Sequence, residues 1–165
     1  MFQNEDPHAA PPSHMEVSEE VRLGRAAFIE ERIVLEGMQL NLSGHVATAV
    51  VRLRERARRV SSRSAGRNVE ARRLHLAGDA AARALTELLP LGYAVLLTDV
   101  QVLATEAGEA VVAAVTLLAP DGELVLMGVA RTDAGIAEAA VRAVLNAVNR
   151  RLAYVFADAP PTTTN

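Results

Sequence analysis

The strongest constraint in this chain is that it repeats itself. Met38-Gln39-Leu40 returns as Val100-Gln101-Val102, and Val46-Ala47-Thr48-Ala49-Val50-Val51-Arg52-Leu53 returns as Ala110-Val111-Val112-Ala113-Ala114-Val115-Thr116-Leu117. Asp79-Ala80-Ala81-Ala82-Arg83-Ala84-Leu85 then returns as Glu138-Ala139-Ala140-Val141-Arg142-Ala143-Val144, in the same order. A unit that recurs at fixed order folds as a recurring supersecondary element. Each copy reads as three strands followed by a helix. The expected fold is therefore α+β: a duplicated βββα unit forming two small antiparallel sheets with helices packed against them. Copy one is placed at 32–89 and copy two at 95–152, inside a single domain covering 19–156.

Copy two carries the clearer signals. Val95–Ala104 is β-rich, with Val100 and Val102 alternating against Asp99 and Gln101. Ala110–Leu118 is nearly continuous apolar sequence and predicts a strand buried on both faces. Pro120-Asp121-Gly122 predicts a turn, since Pro presets φ and Gly accepts φ > 0. Leu124–Ala130 is the third strand. Thr132 and Asp133 are good N-cap types, and a helix is expected from there to about Arg151. Ile136, Ala140, Ala143, Val144, Ala147 and Val148 share one stripe of that helix. The alanines permit close approach, so Ala143→Leu should overpack the interface by roughly 1–3 kcal/mol.

In copy one, Arg32–Leu42 and Val46–Arg54 are expected as strands joined at Ser43-Gly44. Val69–Leu74 is expected as the third strand. Gly78-Asp79 is expected to open a helix that stops at Leu89, before Pro90. Ser18–Ala27 is expected as a short leading helix. Residues 1–18, with Pro7, Pro11 and Pro12, and residues 157–165 are expected as disordered tails.

Composition removes several classes of function. At 165 residues the chain is too short for a (β/α)₈ barrel of about 250 residues. It has no Cys, which excludes disulfide frameworks, Cys-ligated zinc, iron–sulfur clusters and thiol catalysis. His8, His14, His45 and His75 are scattered, so no metal is expected. No cofactor motif, P-loop or Ser/His/Asp order stands out. The run Ala110–Ala119 is too short to span a membrane, and no signal peptide is evident. The expectation is a cytoplasmic protein with no membrane partner.

The two helix starts are the candidate small-ligand site. Free N–H groups and the positive end of the helix dipole at Gly78, Asp79 and Ala80, and at Thr132 and Asp133, would attract a carboxylate. Asp79 or Asp133 would hold an ammonium group. Ordinary N-capping by the same residues is the competing explanation.

A second candidate surface is basic. All 17 basic residues are Arg. Nine lie in 52–73, where Glu55 and Glu70 are the only acids, so that segment carries +7 and the remainder -10, summing to -3. The segment is expected as a solvated hairpin, with Arg52, Arg54, Arg56 and Arg58 on one face and the Ser61–Gly66 run at a flexible tip. Arg54, Arg56, Arg58 and Arg59 are the residues expected to meet an acidic partner, if one binds. No aromatic residue is interleaved to stack on bases, so nucleic acid is not the expected partner.

Copy two also resembles a known family. Thr132-Asp133, Ile136-Ala137-Glu138-Ala139-Ala140 and Arg142-Ala143-Val144-Leu145-Asn146-Ala147-Val148-Asn149-Arg150 resemble the C-terminal regulatory, dimerisation domain of 2-isopropylmalate synthase, which citramalate synthase shares. That family's helix typically begins Thr-Asp-Ile-x-Glu-Ala-Ser and ends in Ala-x-Asn. Here Ala134-Gly135 are inserted before Ile136, and Ala140 stands in place of Ser. In copy one the family's Gly-Pro-Val-Asp-Ala corresponds to Leu76-Ala77-Gly78-Asp79-Ala80, which keeps Asp-Ala and lacks Gly-Pro. The resemblance spans about Ile33–Leu152. It implies a stand-alone homodimeric module that binds a small amino or oxo acid effector of the branched-chain type. It also implies no catalysis, since the family's barrel and His-x-His metal motif are absent. The alternative is a structural or interaction protein that dimerises through the duplicated fold and binds an acidic partner through the hairpin 52–73.

Overall fold

The computed structural model describes residues 32–106 and 108–157. The elements run β1 Val34–Ser43, β2 Val46–Glu55, β3 Arg58–Arg67, α1 Glu70–Leu88, β4 Ala94–Thr105, β5 Gly108–Ala119, β6 Gly122–Arg131, a 3₁₀ turn Thr132–Ala134, and α2 Ile136–Ala157. The tails and the leading helix expected at 18–27 fall outside the described residues, except that α2 continues to Ala157, past the expected end near Arg151.

Two three-stranded antiparallel sheets form, in the orders β1-β2-β3 and β4-β5-β6. This is the duplicated βββα architecture. The copies match in detail. Each first strand carries a bulge at the same place, between Leu35 and Gly37 in β1 and between Leu97 and Asp99 in β4. The bulge inserts one residue, Glu36 or Thr98, into the first strand of each copy. β2 pairs with β3 and β5 with β6 in unbroken ten-residue registers.

Both central strands bury alternate residues: Ala47, Ala49, Val51 and Leu53 on β2, and Val111, Ala113, Val115 and Leu117 on β5. The continuous apolar run of β5 is thus buried on one face and half-covered on the other. α1 packs on β2 and β3 of its own sheet and on β4 of the other; α2 packs on β5 and β6 and reaches β1; the helices also pack on each other. Surrounded in this way, the helices are apolar on most sides. Ala77, Ala80, Ala81 and Ala84 of α1 and Ala139, Ala140, Ala143 and Ala147 of α2 are all buried. Alanine adds little transfer energy, but it brings backbones close enough for the neighbouring Val and Leu side chains, worth about 1.5–3 kcal/mol each, to interlock.

Gly128 on β6 shows how close the approach is. A Cβ there would collide with the Ala143 carbonyl and the Ala147 backbone. Gly78 serves α1 similarly, since a Cβ would lie 2.9 Å from a Leu97 methyl.

Copy one differs from the sequence expectation in two linked ways. Its third strand is Arg58–Arg67, not Val69–Leu74, and its helix begins at Glu70 rather than at Gly78. The residues Glu70-Ala71-Arg72-Arg73-Leu74 are good helix formers. Gly78 is an interior glycine retained for packing, not a start signal. β3 hides its period because its buried face is Val60, Ser62, Ser64 and Gly66, which alternates by size and not by hydropathy. The Ser61–Gly66 run is therefore strand, and the hairpin tip is Arg56-Ala57, with Arg56 at φ 51°. In copy two, Thr132 and Asp133 form the 3₁₀ turn, and Gly135 at φ 101° separates them from α2.

Candidate functional site

Two clefts lie at equivalent positions, each between the helix of one copy and the first strand of the other. The larger, about 700 Å³, is bounded by Arg32–Leu35 at the start of β1, Val129–Arg131 at the end of β6, Asp133 and Ala134, and the α2 residues Arg142, Leu145, Asn146 and Asn149. The smaller, about 400 Å³, is bounded by Asp79, Arg83 and Thr86 of α1 and Ala94–Leu97 of β4.

A polar side chain on each helix braces its cleft. Asn149 donates to the Ile33 carbonyl and accepts from the Ile33 N–H, both at 3.1 Å. Thr86 accepts from the Val95 N–H at 2.9 Å and donates to the Ala82 carbonyl at 3.0 Å. Both Ile33 and Val95 are buried. Their backbone groups would be costly to leave unpaired, so each brace ties one copy to the edge strand of the other. An intrahelical ion pair repeats as well: Asp79 with Arg83 at 2.9 Å, and Glu138 with Arg142 at 2.7 Å.

The larger cleft is the more polar one. Arg32, Arg131 and Arg142 bring three guanidinium groups to its rim, and Asp133 brings a carboxylate paired with Arg131 at 3.1 Å. Arg32 makes no ion pair among the described residues. Asn146 donates to the Val129 carbonyl, which fastens α2 to β6 along one wall. Ile33, Leu35 and Leu145 supply apolar wall. The cleft is thus lined by three arginines, two of them paired with Asp133 and Glu138, by one carboxylate and by an apolar flank, a set suited to a small zwitterion or carboxylate.

The sequence-named ligand residues do not meet in one place. Gly78 and Ala80 are buried in the middle of α1, where backbone N–H groups are already spent on the helix, so the expected helix-start anion site at 78–80 does not exist. Asp79 receives the Ser64 hydroxyl at 2.7 Å and Arg83 at 2.9 Å. It is held for packing and lines only the smaller cleft. Thr132 donates to the Glu109 carbonyl and caps no helix. Asp133 alone of the five lines the larger cleft. Arg32, Arg131 and Arg142 were missed because nothing in the linear sequence marks a meeting of β1, β6 and α2. Asn146 and Asn149 left a trace, as two amides on an otherwise alanine-rich helix.

The basic residues divide as well. Arg54 and Arg59 both pair with the bulge residue Glu36 at 3.0 Å on the outer face of the first sheet. Arg52, Arg63 and Arg67 share that face by register. Arg58 points inward instead and donates to the Glu87 and Leu88 carbonyls, capping the end of α1. Arg56 sits in the turn, 3.8 Å from Glu55. The single-face arrangement expected for Arg52, Arg54, Arg56 and Arg58 therefore fails at the tip, where the turn reverses the alternation.

Among the described residues no three His, Cys, Asp or Glu side chains gather as a metal site, and no helix is long and apolar enough to cross a membrane. No family model matches the chain, and no curated protein matches it.

Proposed function

We propose that the chain is a non-catalytic, cytoplasmic binding module whose ligand is a small amino or oxo acid seated in the larger cleft. The observation that carries this reading is the convergence of Arg32, Arg131, Arg142 and Asp133 around a volume of about 700 Å³ with an apolar flank. An arginine receives the carboxylate, Asp133 the ammonium group where there is one, and Ile33, Leu35 and Leu145 an aliphatic side chain. Because the cleft joins β1 of copy one to α2 of copy two, an occupant would brace the two copies, which suits a regulatory element. The resemblance to the regulatory domain of 2-isopropylmalate synthase supports a branched-chain ligand, and it supports a module that works beside a catalytic partner.

Melting followed by circular dichroism tests this, since the chain lacks Trp. Leucine, isoleucine, valine and their oxo acids at millimolar concentration should raise the Tm; at 100-fold above Kd the stabilisation is about 2.7 kcal/mol. Arg142→Gln and Asp133→Asn should abolish the shift. The absence of a shift with every one of these ligands would sink the reading.

A second reading has its own observation. Arg52, Arg54, Arg59, Arg63 and Arg67 share one sheet face, on which Glu36 pairs with Arg54 and Arg59. An acidic protein segment would suit that face. Salt-sensitive retention by polyglutamate that is lost in Arg54→Gln/Arg59→Gln would favour it.

A further inference from the structure

We infer that the free edge of β3 takes an extended acidic segment of another protein as a fourth strand of the first sheet. The inference rests on the acidic-partner reading of the Arg-rich face and adds to it the mode of binding. β3 ends its sheet, with β2 on one side only. Backbone groups of an antiparallel edge strand alternate between the ladder and the outside. Half of those on β3 therefore face away from β2, with no strand to receive them. The other three edge strands are fastened by helix side chains. Asn149 holds Ile33 at the entry to β1, Thr86 holds Val95 of β4, and Asn146 holds the Val129 carbonyl of β6. Among the described residues, no side chain and no backbone group outside the β2 ladder bonds to the backbone of residues 59–66.

Charge selects the occupant. On the outer face β3 presents Arg59, Arg63 and Arg67, each four residues from the next and so about 13–14 Å apart. Arg59 shares Glu36 with Arg54, whereas Arg63 and Arg67 make no ion pair among the described residues. Alternate residues of an added strand lie on this outer face and run past all three guanidinium groups. Acids at every second position meet them in charge-assisted, forked hydrogen bonds. The partner's intervening residues lie beside Val60, Ser62, Ser64 and Gly66, where β-branched or small side chains suit a pleated strand. A second copy of β3 does not fit this edge. Antiparallel pairing centred on Arg63 sets Arg59 opposite Arg67, and like charges directly across a ladder are destabilising. A phosphate backbone suits the arginines but has no alternating N–H and C=O groups to complete the ladder.

A fluorescein-labelled ten-residue peptide of alternating Glu and Val, added to the full chain, tests the inference. Anisotropy should report saturable binding that weakens about tenfold or more in Arg63→Gln/Arg67→Gln. Both side chains are exposed, and circular dichroism checks that the variant folds. Saturating peptide should slow hydrogen exchange about tenfold or more at the outward amides of residues 59–67 and leave the β6 amides unchanged. Binding without that slowing overturns strand addition and leaves the acidic-partner reading standing. Binding that survives Arg63→Gln/Arg67→Gln overturns the assignment to this edge. Tighter binding of a labelled oligothymidylate, lost in the same variant, overturns it in favour of nucleic acid. Failure of the Glu-Val peptide to bind also overturns it; the partner reading then stands only if polyglutamate still retains the chain.

Discussion

Copy one and copy two build the same ladder, yet corresponding positions carry opposite chemistry. On the outer face, β3 sets Arg59, Ser61, Arg63 and Ala65 where β6 sets Glu123, Val125, Met127 and Val129. On the inner face, β3 meets α1 with Ser62, Ser64 and Gly66, where β6 meets α2 with Leu126, Gly128 and Ala130. Backbone pairing constrains only which residues oppose one another and which alternate. A duplicated ladder can therefore keep its geometry while the outer face of β3 becomes basic and that of β6 mostly apolar. The helices show the same division. α1 is held to β3 partly by the Ser64–Asp79 hydrogen bond, whereas α2 lies against β6 through backbone contact at Gly128.

The sharpest way to break this comparison is to add one methyl group to the packing glycine on each inner face, although Gly128 corresponds to Ser64 and Gly66 to Ala130. Gly128→Ala drives a Cβ into the backbone of α2, which has no rotamer to yield, and should cost about 3 kcal/mol or more by urea denaturation. Gly66→Ala meets only the flexible end of Leu76 at 3.2 Å and should stay within about 1 kcal/mol. Equal effects would mean that the two helices sit on their sheets in the same way.

The braces come next. Asn149→Leu removes both bonds to Ile33 and should lower stability by about 2–3 kcal/mol, with Thr86→Val lowering it by about 1–2 kcal/mol. The difference should appear in hydrogen exchange, as earlier opening of the start of β1 in the first variant and of β4 in the second. The smallest effect belongs to the solvated outer face. Glu36→Gln leaves Arg54 and Arg59 without their carboxylate, but both are well exposed, so the loss should stay below about 1 kcal/mol and shrink further in high salt.

Copy two was legible from sequence almost element by element, because its strands alternate or saturate in hydropathy and Pro120-Asp121-Gly122 marks its turn. Copy one was legible as far as its first two strands, β1 and β2. Its β3 alternates serine and glycine against arginine, which registers as a loop to any hydropathy pattern. Once that strand was displaced, Gly78 stood where a helix start was needed. The candidate site fared similarly. Asp133, named as a helix-start residue, lines the larger cleft from a 3₁₀ turn, while Gly78 and Ala80 are interior helix residues.

The sequence by itself determined the duplication, the βββα order, the presence of strands at β2 and β5, and the alanine-rich character of the helices, because each is a local or periodic property of neighbouring residues. Tertiary structure alone decided that Arg32, Arg131, Arg142 and Asp133 share a cleft, that Arg58 turns inward to cap α1 while Arg54 and Arg59 stay outside, and that Val125, Met127 and Val129 are left uncovered. Those outcomes depend on which strand of one copy lies against which helix of the other. That choice comes from packing the two apolar helices together between two sheets, and no stretch of the chain contains both sides of it.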